Sequence, residues 1–164
     1  MSKRYSYVPA GGGVNYNWSA DHTFVKVSSA DTGGQYTLME DNLKAHFKLG
    51  LHLHREHAET FYILDGSVDF YVDGDWMTAG PGTCLHIPPG VEHACIVSPD
   101  FTSAKMLMIY QPSGFDEFLA QLAQLDEADF EDKAKMKALE EAYDIVNIGP
   151  VPDRATGRQG RQGS

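Results

Sequence analysis

The residues best suited to chemistry fall in two short segments. In Gly50-Leu51-His52-Leu53-His54-Arg55-Glu56-His57-Ala58-Glu59, His52 and His54 stand two apart. On a strand such residues project to the same face, so their imidazoles can share one ion. A short turn follows, and Glu59 opens the next strand, where it shares a face with Phe61 and Ile63. Glu59 can thus lie across from the two histidines. In the second segment, Gly82 to His93, the run Pro88-Pro89-Gly90 forces a turn, and the chain re-enters as a strand led by His93. Three imidazoles and one carboxylate suit one divalent transition ion: Mn, Fe, Co, Ni, Cu or Zn. One or two coordination positions would remain for water, substrate or dioxygen.

Neighbouring residues carry weaker expectations. His57 lies in the turn between ligands, and a solvated turn residue is favoured over a swapped ligand. His86, two residues before Pro88, either lines the barrel as an acid/base or faces the other way. His46 and Lys48 share the parity of the ligands and point inward if their strand is regular, but a bulge at Gly50 would undo this. Tyr36, Phe47, Phe61, Ile63, Met106 and Met108, with Tyr110, are strand residues expected in the core, and in a small barrel such residues also form the wall of a substrate pocket.

The elements that must position these groups divide the chain into three zones. Residues 1–112 read as a β-barrel with an N-terminal arm, in short alternating runs punctuated by Gly, Pro and Asp-Gly pairs. Phe24–Val27 and Tyr36–Met39 are early strands. Thr60–Leu64, Asp65-Gly66 and Val68–Val72 read as a hairpin, and Asp73-Gly74 turns the chain again toward Trp76. Ala104–Tyr110 is nearly continuous and apolar, as a strand buried on both faces would be. Residues 113–149 read as a helical extension. Ser113 supplies a capping hydroxyl, with Asp116 and Glu117 in the first turn. Phe115, Phe118, Leu119, Leu122 and Leu125 recur at helical spacing, and Asp129–Tyr143 reads as a second helix with Phe130, Ala134, Ala138 and Ala142 on one stripe. The stripe of the first helix is expected to cover the outer sheet, with a lid over a barrel mouth as the alternative. Residues 150–164 are rich in Pro, Gly, Arg and Gln and are expected to be unstructured.

Composition narrows the function class. The chain has 164 residues and a net charge of −10, which disfavours nucleic acid as a partner. Residues 113–146 hold ten acids against three lysines, an acidity that serves solubility. No apolar run reaches membrane-spanning length, and Met1-Ser2-Lys3-Arg4-Tyr5 leads into no apolar signal region. Cys84 and Cys95 fit no metal or redox spacing and are expected to be small buried residues. A cytoplasmic chain is expected.

Taken together, the two metal segments resemble the paired motifs of the cupin superfamily. His52-x-His54, four residues, Glu59, six residues and Gly66 match the first motif. Gly82, five residues, and Pro88-x-Gly90-x-x-His93 match the second. The resemblance spans roughly residues 20–111. His46 and Val97 replace a glycine and an asparagine common in the family, and neither is a ligand position. The resemblance implies an all-β jelly-roll barrel, often dimeric, with one metal held by His52, His54, Glu59 and His93. The order Gln111-Pro-Ser-Gly-Phe-Asp-Glu-Phe118, two helices, and Ala142–Pro150 looks like the tail of bacterial cupins similar to quercetin dioxygenases. That implies an oxygenase acting on an aromatic enol or β-dicarbonyl, with Glu59 both a ligand and the base that takes the enol proton. The alternative is a non-redox isomerase, cyclase or lyase, and a non-catalytic small-molecule-binding cupin follows behind.

Overall fold

The alternating runs fold into two six-stranded sheets that face one another. The structure is a computed structural model, and it describes residues 5–154 and the backbone of 158–159. The chain begins with β1 (Val14–Asn17), β2 (Asp21–Val27), the short helix α1 (Ser29–Thr32), β3 (Thr37–Lys44) and β4 (Lys48–Leu53). It continues with β5 (Ala58–Gly66), β6 (Val68–Val72), β7 (Asp75–Ala79), β8 (Cys84–Ile87), β9 (His93–Val97) and β10 (Ser103–Gln111). After these come α2 (Phe115–Leu122), α3 (Glu127–Glu131), α4 (Lys133–Ala142), β11 (Val146–Gly149) and β12 (Arg158–Gln159). One sheet runs β1-β2-β3-β10-β5-β8 and the other β11-β4-β9-β6-β7-β12, antiparallel except where β12 joins β7. No helix among the described residues is long and apolar enough to cross a membrane.

The inner faces of the two sheets make the core. On β5, Glu59, Phe61 and Ile63 are buried while Tyr62 and Leu64 face out, the period-two pattern expected of it. Phe61 meets Phe70 of the opposite sheet with ring centroids 5.2 Å apart. Each such side chain contributes roughly 1.5–3 kcal/mol by leaving water.

Four local expectations fail for physical reasons. Asp65-Gly66 does not close a hairpin, because β5 pairs with β10 and β8 while β6 pairs with β7 and β9. The pair is instead a corner between sheets. Gly66 has φ 72°, and a Cβ there would lie 2.7 Å from Ala104 Cα. The true hairpin turn is Asp73-Gly74, where both residues have positive φ between β6 and β7. Second, β10 is buried on one face only; Lys105, Leu107 and Ile109 are half-exposed.

Third, α2 is capped at Gly114 rather than by the Ser113 hydroxyl. Asp116 of its first turn accepts hydrogen bonds from the Ser29 amide (2.9 Å), the Ser29 hydroxyl and Thr37 Oγ1 (3.2 Å), which pins the helix to α1 and β3. Fourth, the expected second helix is two. Asp132 ends α3 and caps α4 by accepting from the Ala134 and Lys135 amides. Neither α3 nor α4 contains a buried residue, and Phe130 is exposed. The extension ends in β11, a strand that the sequence reading does not anticipate, paired with β4, the strand that carries His52. The expected unstructured tail falls mainly outside the described residues.

Candidate metal centre

The four expected ligands converge between the sheets. His52 lies on β4 and His54 just after it, His93 opens β9 directly opposite His52, and Glu59 comes from β5 of the other sheet. All four side chains are buried, and their ligand atoms lie within 4.8 Å of one another. The ring centroids of His52 and His93 are 4.2 Å apart, and those of His52 and His54 5.1 Å apart. The register between β4 and β9 shifts between Leu49 and His52, so the irregularity expected near Gly50 is present. It reverses the parity of the preceding residues, and Lys48 is exposed. His46, in the turn before β4 with φ 70°, is exposed as well. Gly50 lets β11 approach, since a Cβ there would stand 2.8 Å from the Gly149 carbonyl oxygen.

Backbone carbonyls orient the three imidazoles. Nδ1 of His52 lies 2.8 Å from the Gly50 oxygen, Nδ1 of His54 2.8 Å from the Asp144 oxygen, and Nδ1 of His93 3.0 Å from the Val91 oxygen. A carbonyl only accepts, so each Nδ1 carries the proton and donates. Each Nε2 lone pair is then free to face inward, as metal-bound histidines require. His93 Nε2 sits 2.7 Å from Glu59 Oε2, and His54 Nε2 3.2 Å from the same oxygen. Buried His54 Nε2 has no hydrogen bond. Converging lone pairs and a carboxylate repel unless a proton or a cation stands among them, and this donor set fits one divalent ion.

The electrostatics agree. Burial, helped by the neighbouring His93, lowers His52 to about 4, which leaves it neutral and able to coordinate. Burial alone would raise Glu59, but the close approach of the His54 and His93 rings to its Oε2 outweighs it and holds the carboxyl well below the usual carboxylate range. Burial likewise opposes a charge on His54, yet contact with Glu59 raises it overall.

A cavity of about 350 Å³ opens from His52, His54 and Glu59. Phe47, Phe61, Met106 and Met108 line it, as the sequence reading expects. Tyr36 and Ile63 do not. Ile63 faces inward but is fully packed in the core, and Tyr36 lies before β3, where its carbonyl accepts from Thr32 Oγ1 at 2.7 Å. Phe115, Phe118, Leu119 and Leu122 of α2 complete the apolar wall. The stripe of α2 therefore lines the cavity, and the favoured expectation that it covers the outer sheet is corrected.

His86 is also corrected as a pocket residue. Leu85 and Ile87 take the inward positions of β8, so His86 is exposed and its Nδ1 meets Thr60 Oγ1 at 2.8 Å. The same parity exposes Cys84, expected to be buried, whereas Cys95 is buried and its thiol is pushed up by burial. His57 is neither a ligand nor freely solvated. Its ring stacks on Tyr110 at 4.5 Å and its Nδ1 donates to Asp144 Oδ2 at 2.7 Å.

Sequence reasoning missed Asp144, Tyr110 as a polar group, and the acids of β2 and β3. Asp144 accepts from the amides of Arg55 (2.9 Å), Glu56 (2.8 Å) and His57 (3.1 Å) through its carboxylate, while its backbone carbonyl accepts a hydrogen bond from His54 Nδ1. Burial opposes its ionisation, but the His57 and backbone hydrogen bonds keep its carboxyl below the ordinary value. Tyr110 donates to the Tyr143 carbonyl at 2.8 Å and lies 3.3 Å from His54 Nδ1. Ninety residues separate Asp144 from His54, and no spacing signal links them.

Comparison with known proteins places this arrangement. A family model described as Cupin domain matches residues 41–110. Quercetin 2,3-dioxygenase of Bacillus subtilis (strain 168) is 28% identical over 98 residues, which is 60% of this chain. The match spans only 28% of that relative's length. The polyketide cyclase RemF from Streptomyces resistomycificus superposes with a TM-score of 0.58 and 19% identity, covering 69% of this chain and 81% of that one. Pac13, a nucleoside dehydratase from Streptomyces, gives a TM-score of 0.56 at 13% identity, over 90% of this chain and 93% of that one. The matched residues 41–110 thus hold both histidine segments, the carboxylate and the strands that bring them together, and over that stretch the chain resembles the Cupin domain, within a jelly-roll barrel.

Proposed function

We propose that this chain is a metal-dependent enzyme that binds a small aromatic enol or β-dicarbonyl in the barrel cavity and acts on it with dioxygen. The observation that supports this best is the meeting of a three-histidine, one-glutamate cluster with an aromatic and thioether wall in one cavity. His52, His54, Glu59 and His93 would hold the ion. The bound ion would supply Lewis acidity, polarising the substrate oxygen and favouring its enolate. Phe61, Met106 and Met108 of the cavity wall would offer an apolar surface to the ring, and Phe115, Phe118 and Leu122 of α2 would shield it from water. Glu59 Oε2 receives the enol proton, which makes Glu59 the catalytic base.

Metal analysis of the purified protein should find about one ion per chain. A flavonol should then be consumed together with dioxygen by the Fe-, Co-, Ni- or Mn-loaded protein. Equal turnover under strict anaerobiosis would overturn the oxygenase and point to the isomerase, cyclase or lyase alternative.

A further inference from the structure

Away from the metal cluster the cavity wall turns polar at Glu140 and Asn147 and, more deeply buried, on β2 and β3. Asp21 and Thr23 of β2 and Asp41 of β3 all line it. Thr23 stands opposite Asp41 in the sheet, and the two are 3% and 7% exposed. Thr23 Oγ1 lies 3.1 Å from Asp41 Oδ1 and 3.3 Å from Asp21 Oδ2. One hydroxyl has one proton and donates to one carboxylate at a time. A proton held by the other carboxyl is then not consumed by the hydroxyl and can be donated into the cavity. Asp41 is opposite Met106, whereas Glu59 is opposite Tyr110, four residues further along β10. At about 3.3 Å per residue the two carboxyl rows are separated by roughly 13 Å along the sheet. A fused-ring skeleton can span much of that interval.

We infer that the Asp41–Thr23–Asp21 group is a second recognition element of this cavity, donating a hydrogen bond to a neutral carbonyl or ether oxygen at the end of an aromatic substrate remote from the metal cluster. The inference rests on the proposed function in one respect, that the cavity holds an aromatic molecule. A substrate carrying an anion at that end is rejected by the paired acids. Burial first, then the charge of Asp21, push Asp41 up to about 7, and burial raises Asp21 as well. Lys44 and His22 act on Asp21 in the opposite sense. Among the described residues the wall carries no other titratable group than Glu140 of α4 and the metal cluster, the buried Cys95 thiol of β9 feels the Asp41 charge, and the β10 residue facing Asp41 is the apolar Met106. Among the described residues no ion pair reaches Asp41 or Asp21.

The test compares 2-acetylnaphthalene with 2-isopropenylnaphthalene, in which a methylene replaces the carbonyl oxygen, so the branched shape is kept and the acceptor is lost. Both are titrated into zinc-loaded protein, with tryptophan fluorescence as the readout because Trp18 lines the cavity. At pH 6 the ketone should bind about tenfold more tightly, as one neutral hydrogen bond allows. At pH 8.5 the advantage should vanish as the pair ionises. Asp41→Leu should lack the advantage at both pH values. Asp41→Asn should keep it at both, because its amide donates without titrating. Zinc content should match wild type in each variant. An advantage that survives in Asp41→Leu, one that does not change with pH in the wild type, or failure of both naphthalenes to bind would overturn the inference. Loss of flavonol-dependent oxygen uptake with the naphthalene pattern intact would remove only the oxygenase reading.

Discussion

Removing the Asp144 carboxylate measures how far the metal centre is held from outside the barrel. This side chain collects three backbone amides from residues 55–57 and the His57 ring, while the Asp144 carbonyl orients His54. Asp144 has φ 60°, a conformation that Gly and Asn adopt readily and Ala does not. Asp144→Gly therefore removes the acceptors without straining the backbone, and Asp144→Asn retains one acceptor oxygen. Hydrogen bonds to a charged group contribute about 1.5–3 kcal/mol each when buried. The loop is partly exposed and water replaces some of them, so a net loss of about 2–3 kcal/mol is expected for the glycine variant. That corresponds to a fall in Tm of roughly 5–10 °C for a domain of this size. With residues 55–57 released, His54 loses its fixed ring orientation, and losing such an outer partner weakens metal binding about 10–100-fold. Chelator competition with zinc gives the affinity, and thermal melting gives the stability. Asp144→Asn should fall between glycine and wild type in both. Because the folded pKa of Asp144 is depressed, its contribution is complete at neutral pH and is lost only as the pH falls below the ordinary carboxylate range. A glycine variant that binds zinc within about twofold of wild type would refute the argument, since it assigns the His54 geometry to this arm.

The remaining predictions concern the ligands, the buried acid and the helix. His52→Ala, His54→Ala and His93→Ala should each remove most of the metal, whereas Glu59→Gln should weaken binding less and depress turnover more; full metal content in the triple histidine variant sinks the site. Asp41 has a folded value raised to about 7, so its ionisation opposes folding as the pH rises. Stability should drop by about 1.4 kcal/mol between pH 6 and pH 8 from this group, and denaturant melts of Asp41→Asn should lack that component. Phe118→Ala empties a buried position of α2 and should cost about 3–5 kcal/mol while raising the apparent KM, because the same ring lines the cavity. A variant with unchanged melting would show that α2 does not line the cavity.

The sequence by itself determined whatever depends on the direction of side chains within one strand. That direction alternates strictly, so His52 and His54 had to share a face, Glu59 had to accompany Phe61, and a Pro-Pro-Gly turn had to return His93 at the start of a strand. Those constraints act over a few residues and are readable there. Only the tertiary structure decided which elements meet. Asp65-Gly66 has the local chemistry of a hairpin, yet it became a corner because β6 found its partners in the other sheet. Parity on β8 allowed either face for His86, and packing of Leu85 and Ile87 settled it outward. The α2 stripe announced burial without saying beneath what, until Asp116 fixed the helix to Ser29 and Thr37 and turned its rings into the cavity. Asp144 and the Asp21–Asp41 pair carry no motif, because their roles arise from backbone amides and strands brought beside them by the fold, 18 to 90 residues away along the chain.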